Sequence, residues 1–175
     1  MPAAPPPFDL AAINAMDRDA FVAVLGPSFE NAPWVAADAW AQRPFASVTA
    51  LHAAMLDIVR RASDSAQLAF LCGHPELAGR EAEAGTMTTE STGEQGSAGL
   101  DSLTPAEREE MQRLNRAYRE RHGFPFIIAV RGNTRQQIFA AMRARTAQAT
   151  EVERQAALEQ IGRITRGRIG ALIQG

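Results

Sequence analysis

Apolar residues in this chain recur at intervals of three and four, in short runs, and most runs are bracketed by a capping residue, a glycine or a proline. That spacing puts one apolar stripe on each of several helices; a sheet would need strict alternation instead. Ile13, Met16, Phe21, Val24 and Leu25 share a helix face that stops at Gly26 and Pro27. Pro33 opens a short segment from Trp34 to Trp40. Ser47 is a good N-cap for a helix whose stripe is Val48, Leu51, Met55, Ile58 and Val59. A fourth helix runs through Leu68, Phe70 and Leu71. Pro75 disfavours helix at the residue before it, so His74 is expected at a helix end.

Residues 79–93 are the least apolar stretch and read as a surface loop. Thr104, Pro105 and Glu107 make a capped start for a helix carrying Met111, Leu114 and Tyr118 and ending near Gly123. The run FPFIIAV, residues 124–130, has strand composition but no evident partner strand, and predicts a buried extended connector. Thr134 caps a helix with Ile138, Phe139 and Met142. Thr150 with Glu153 is a further capping-box signal, opening a last helix through Leu172. The expectation is an all-α fold of seven to eight helices with little or no sheet. A single compact domain covers residues 8–175, after a flexible proline-rich arm over residues 1–7.

With 175 residues, 46% apolar and 22% charged, the chain suits one soluble globular domain. A net charge of −2 argues against nucleic acid or a membrane surface as partner. No apolar run is long enough to predict a membrane-spanning helix. The opening MPAAPPPF lacks the basic and apolar regions of a secretory leader. The lone cysteine, Cys72, excludes an internal disulfide and a multi-cysteine metal site, and suits a reducing cytoplasm.

Three histidines are available for chemistry. His52 reads as a surface or edge residue, and His122 as a cap in the last turn of a helix. His74, between Gly73 and Pro75 at a helix end, is the candidate acid–base group. Ser91 and Glu94 have capping-box spacing. The competing reading sets Glu94 and Gln95 at a pocket mouth, as acceptor and donor for a polar ligand. Most of the eight arginines after residue 130 read as a solvated face. Arg145 lies seven residues after Ile138, on an apolar face where an arginine needs an anion. It is therefore the better carboxylate clamp, and Arg143 the better solvent residue. No metal motif and no phosphate-binding glycine loop is present in the sequence.

Six motifs then stand in order: FENAPW (29–34), RPF (43–45), GHPELAG (73–79), STGEQGSAGL (91–100), LNRAY (114–118) and GFPFI (123–127). Together they closely resemble the OHCU decarboxylase family over residues 8–173. OHCU is 2-oxo-4-hydroxy-4-carboxy-5-ureidoimidazoline. The resemblance implies an all-α homodimer of the cytoplasm, without metal or cofactor, that converts OHCU to S-allantoin and carbon dioxide in urate degradation. It implies His74 and Glu94 as catalytic residues, and Arg145, Ser91, Gln95, Pro75, Phe124 and Ile127 as substrate-binding ones. Three positions depart from the family pattern. His122 replaces a common phenylalanine and is read as a surface change; Thr146 and Gln148 replace a leucine and an asparagine. The alternative is a helical hydrolase of a ureido or amide bond, using the same histidine and glutamate.

Overall fold

A computed structural model describes residues 7–174; the expected arm lies, up to residue 6, outside them. Among the described residues the chain is helical, with ten α-helices, three short 3-10 segments and one pair of two-residue strands. The described residues sort into two compact units, residues 7–67 with 162–174 and residues 68–161. The division falls inside two helices, α5 (Asp64–Cys72) and α10 (Thr150–Leu172).

In the first unit, the helix expected across residues 13–25 is two helices, α1 (Leu10–Ala15) and α2 (Arg18–Leu25). Asp17 is the cause. Held extended, its carboxylate accepts the Ala20 N–H at 2.8 Å and starts a new helix. Pro33 takes the first position of α3 (Pro33–Ala39). Ser47 caps α4 (Val48–Arg61) through the Ala50 N–H at 3.0 Å. Ile13, Phe21, Leu25, Phe29, Val35, Leu51 and Met55 form the buried core. Arg43, from the RPF motif, donates to the carbonyls of Asn14 and Met16 at 2.8 and 2.6 Å and lies over the Trp40 ring. The strands β1 (Phe8–Asp9) and β2 (Ile173–Gln174) pair in parallel, Phe8 opposite Ile173.

Arg168 departs from its expected place on a solvated face. It is buried, with Nη1 2.6 Å from the carboxylate of Glu30, which is buried as well. Glu30 has φ 55° and ψ −128°, a sparsely populated backbone region that costs a non-glycine residue on the order of 1–3 kcal/mol.

In the second unit, the stretch expected to be a loop contains α6 (Arg80–Ala84) and most of α7 (Thr89–Ser97). Helix α7 escapes a periodicity reading because its buried residues are Ser91, Glu94 and Gln95, all polar. Helix α8 (Pro105–His122) has the expected capping box and ends at Gly123, φ 81°. Residues 124–130 are the expected buried connector, with Phe124, Phe126, Ile127 and Val130 inward. Thr134 caps α9 (Arg135–Thr146). The box expected at Thr150 does not open α10: Thr150 is already helical, and the Glu153 N–H reaches back to the Ala149 carbonyl at 3.0 Å. Leu68, expected on the apolar face of α5, is instead 43% exposed.

Candidate active site

Every predicted site residue lies in the second unit, and its geometry starts at the end of α5. The chain keeps turning for two residues after Cys72. The Gly73 and His74 N–H groups donate to the carbonyls of Phe70 and Leu71 at 3.1 and 3.2 Å. Pro75 then forces an extended exit. His74 is buried where this turn stops, edge-on to the Phe70 ring at 5.2 Å. Its Nδ1 lies 3.2 Å from the Phe70 carbonyl. A carbonyl only accepts, so Nδ1 carries the hydrogen and Nε2 is the basic nitrogen of the neutral ring.

The chain after Pro75 is tightly folded. Ala78 has φ 44°, and a Cβ added to Gly79 would meet the Glu76 Cβ at 2.6 Å, so glycine is required there. Gln95 of α7 grips this segment with both ends of its amide. Its Oε1 accepts the Ala78 N–H at 2.8 Å and its Nε2 donates to the Glu76 carbonyl at 3.3 Å. Gln95, expected to bind substrate, therefore spends its amide on the turn that follows His74.

Ser91 and Glu94 sit on the same buried face of α7, three residues apart. The capping box they could have formed is not used. Thr88 caps the helix, accepting the Ser91 N–H at 3.2 Å, which leaves Ser91 and Glu94 inside the helix facing inward. Pro75 is half-buried, and Phe124 and Ile127 are buried.

Arg145 does meet an anion, and that anion is Glu153. The Arg145 Nε lies 3.1 Å from Glu153 Oε2, and Nη1 donates to the Ile127 carbonyl at 3.0 Å. The guanidinium also covers the Phe126 ring at 4.5 Å. The Tyr118 hydroxyl donates to the same carboxylate at 2.6 Å, and burial, then this bond, pushes its pKa upward. The charge that the Ile138 spacing singled out is thus ion-paired within the protein, while its Nη2 stays buried without a hydrogen bond. Arg143 is the solvent residue, paired with Glu110. Sequence reasoning missed both Glu153, read as a cap, and the buried Arg168. Arg168 lies seven residues after Ile161, the same spacing that drew attention to Arg145.

His122 is not a surface change. It is buried against Tyr118 at 4.5 Å, with Nε2 donating to the Thr146 carbonyl at 3.2 Å and Nδ1 bonded to the Thr150 hydroxyl at 3.0 Å. A flat imidazole fills an aromatic site, and the neighbouring helices satisfy its nitrogens.

The family model described as OHCU decarboxylase matches residues 14–170 of this chain. The chain is 42% identical over 160 residues to the 2-oxo-4-hydroxy-4-carboxy-5-ureidoimidazoline decarboxylase of Haloferax volcanii, covering 91% of this chain and 93% of that one. It is 38% identical over 165 residues to the protein of the same name from Mus musculus, covering 94% and 93%. Among solved structures it is similar to a crystal structure of (S)-allantoin synthase, with TM-score 0.72 and 31% identity. That match covers 94% of this chain and 54% of the other, so this chain spans about half the length of that structure's chain.

Proposed function

Because the chain belongs to the OHCU decarboxylase family, we propose that it converts OHCU to S-allantoin and carbon dioxide, a step of urate degradation, with His74 and Glu94 as its acid–base pair. The observation that carries the site is the double grip of Gln95 on the turn after His74, because Gln95 adjoins Glu94 on α7. It ties the buried imidazole's turn to the helix that bears the buried carboxylic side chain.

The substrate dictates what the residues must do. Its carboxylate sits on a ring carbon that also bears a hydroxyl and adjoins a ring carbon–nitrogen double bond. When the carbon–carboxylate bond breaks, carbon dioxide leaves and the electron pair moves into the ring, onto that nitrogen, which takes up a proton from water. The product is an enol. Its hydroxyl proton is then lost as the carbonyl forms, and a proton is added to the adjacent ureido-bearing carbon. His74 Nε2 is the base for the hydroxyl proton. The pair returns one proton to the ureido-bearing carbon from one face, which sets handedness. General acid–base catalysis of this kind is worth roughly 10²–10⁴-fold. Ser91 holds the ureido and ring amide groups, and Pro75, Phe124 and Ile127 line the pocket. Arg145 holds the Ile127 carbonyl through Nη1, and its Nη2, buried without a hydrogen bond in the protein, is the N–H left to donate to the substrate.

The protein acts on this small molecule as a cytoplasmic homodimer. The exposed thiol of Cys72 supports a reducing compartment. No helix among the described residues is long and apolar enough to cross a membrane.

Freshly generated OHCU, mixed with the protein and followed by circular dichroism, should give S-allantoin far faster than the spontaneous racemic reaction. His74→Asn should keep the helical spectrum and lose the rate gain. Wild-type rate and handedness in that variant would remove His74 from the mechanism. Ammonia in place of carbon dioxide would remove the reaction class.

A further inference from the structure

The turn after His74 is held from a second side, by helix α8. Asn115 Nδ2 donates to the Leu77 carbonyl at 2.9 Å, and Arg119 Nε donates to the Glu76 carboxylate at 2.8 Å. Asn115 and Arg119 are four residues apart and so share one face of the helix. With Gln95 on the other side, the three consecutive residues Glu76, Leu77 and Ala78 are each held by a neighbouring side chain.

Asn115 is the informative member. It is 4% exposed, and its Oδ1 is buried without a hydrogen bond. An unsatisfied buried acceptor lowers stability, and a leucine of similar volume would remove this one but leave the Leu77 carbonyl without its donor. What the asparagine supplies is direction. It aims one N–H at one carbonyl and fixes how the Leu77 peptide is turned. Packing does not do this job, because a cleft of about 460 Å³ opens here, lined by Glu76, Gly79, Asn115 and Arg119 among others. None of the predicted site residues lines that cleft. The strained φ of Ala78 persists only where its surroundings over-determine it.

We propose that Asn115 and Arg119 are positioning residues of the reaction, fixing the turn of residues 76–79 and through it the placement of His74. The proposal rests on the reading of His74 as the acid–base group. Neither residue needs to touch substrate. A displacement of about 1 Å in a catalytic group is enough to cost on the order of a hundredfold in rate.

The test compares Asn115→Leu and Arg119→Met with the wild-type protein, at a temperature where all three are folded. Asn115→Leu should lower kcat about ten- to a hundredfold while KM stays within about twofold, and should lower the enantiomeric purity of the allantoin. Its melting temperature should change little, because the Leu77 carbonyl replaces Asn115 Oδ1 as the unsatisfied acceptor, so a lower kcat is not a loss of folding. Arg119→Met, at a half-buried site, should lower kcat less, and it carries the test if Asn115→Leu does not fold. Unchanged kcat, or a raised KM alone, overturns the proposal. Amide exchange keeps this result separate from failure of the functional reading. The Ala78 N–H should exchange about tenfold faster in Asn115→Leu even if the wild-type protein proves inactive on OHCU. Unchanged exchange would overturn the bracing role by itself.

Discussion

A guanidinium on the apolar face of a helix needs an anion, whether that anion comes from substrate or protein. At Arg145 it comes from Glu153, whose carboxylate is 1% exposed and also takes the Tyr118 hydroxyl. The expectation that Arg145 meets an anion was legible in the spacing from Ile138. The identity of the anion was not, because Glu153 also has capping-box spacing from Thr150, and local pattern alone favours the cap. Removing the carboxylate strands the arginine. Glu153→Leu should cost about 3–5 kcal/mol, read as a lower urea midpoint, and adding Arg145→Met should recover much of that loss. A double-variant loss equal to the sum of the Glu153→Leu and Arg145→Met losses would show that the pair is not coupled.

At the scale of elements, α7 explains why a helix was read as a loop. A helix is visible in sequence when its inward face is apolar, and the inward face of α7 is Ser91, Glu94 and Gln95. Such a helix has little apolar burial to hold it, so its cap carries more weight than usual. Thr88→Ala should cost about 1 kcal/mol, as an N-cap loss normally does. The same substitution at Thr104 should cost a similar amount, since that cap starts α8. Only the Thr88 variant should also lower kcat, because α7 holds Glu94 and the turn after His74. Equal activity in both variants would separate the cap from the site. By contrast α4, α8 and α9 were all legible, because Ser47, Thr104 and Thr134 cap helices whose inward residues are apolar.

For the molecule as a whole, His52 is one source of pH dependence. Read as an edge residue, it is half-buried, with Nε2 2.9 Å from the Thr165 hydroxyl. Burial, then the charge of Arg166, lowers its pKa below the usual 6.5. The unfolded chain therefore binds this proton more tightly than the folded protein. The stability due to neutral His52 is complete above pH 6.5 and is lost as pH falls through the lowered value. Stability should decline as pH falls below 6.5, and His52→Gln should flatten part of that decline. Superimposable profiles would exclude the imidazole as the source. The helical class, most helix boundaries and the family were determined by sequence alone, since caps, prolines and apolar periodicity act within about four residues of one another. Only the tertiary structure decided which charges and rings satisfy one another. Glu30 and Arg168 lie 138 positions apart, and His122 is completed by Thr146 and Thr150 from beyond the connector. Burying a polar group without a partner costs free energy, and where that partner comes from depends on how the chain returns upon itself.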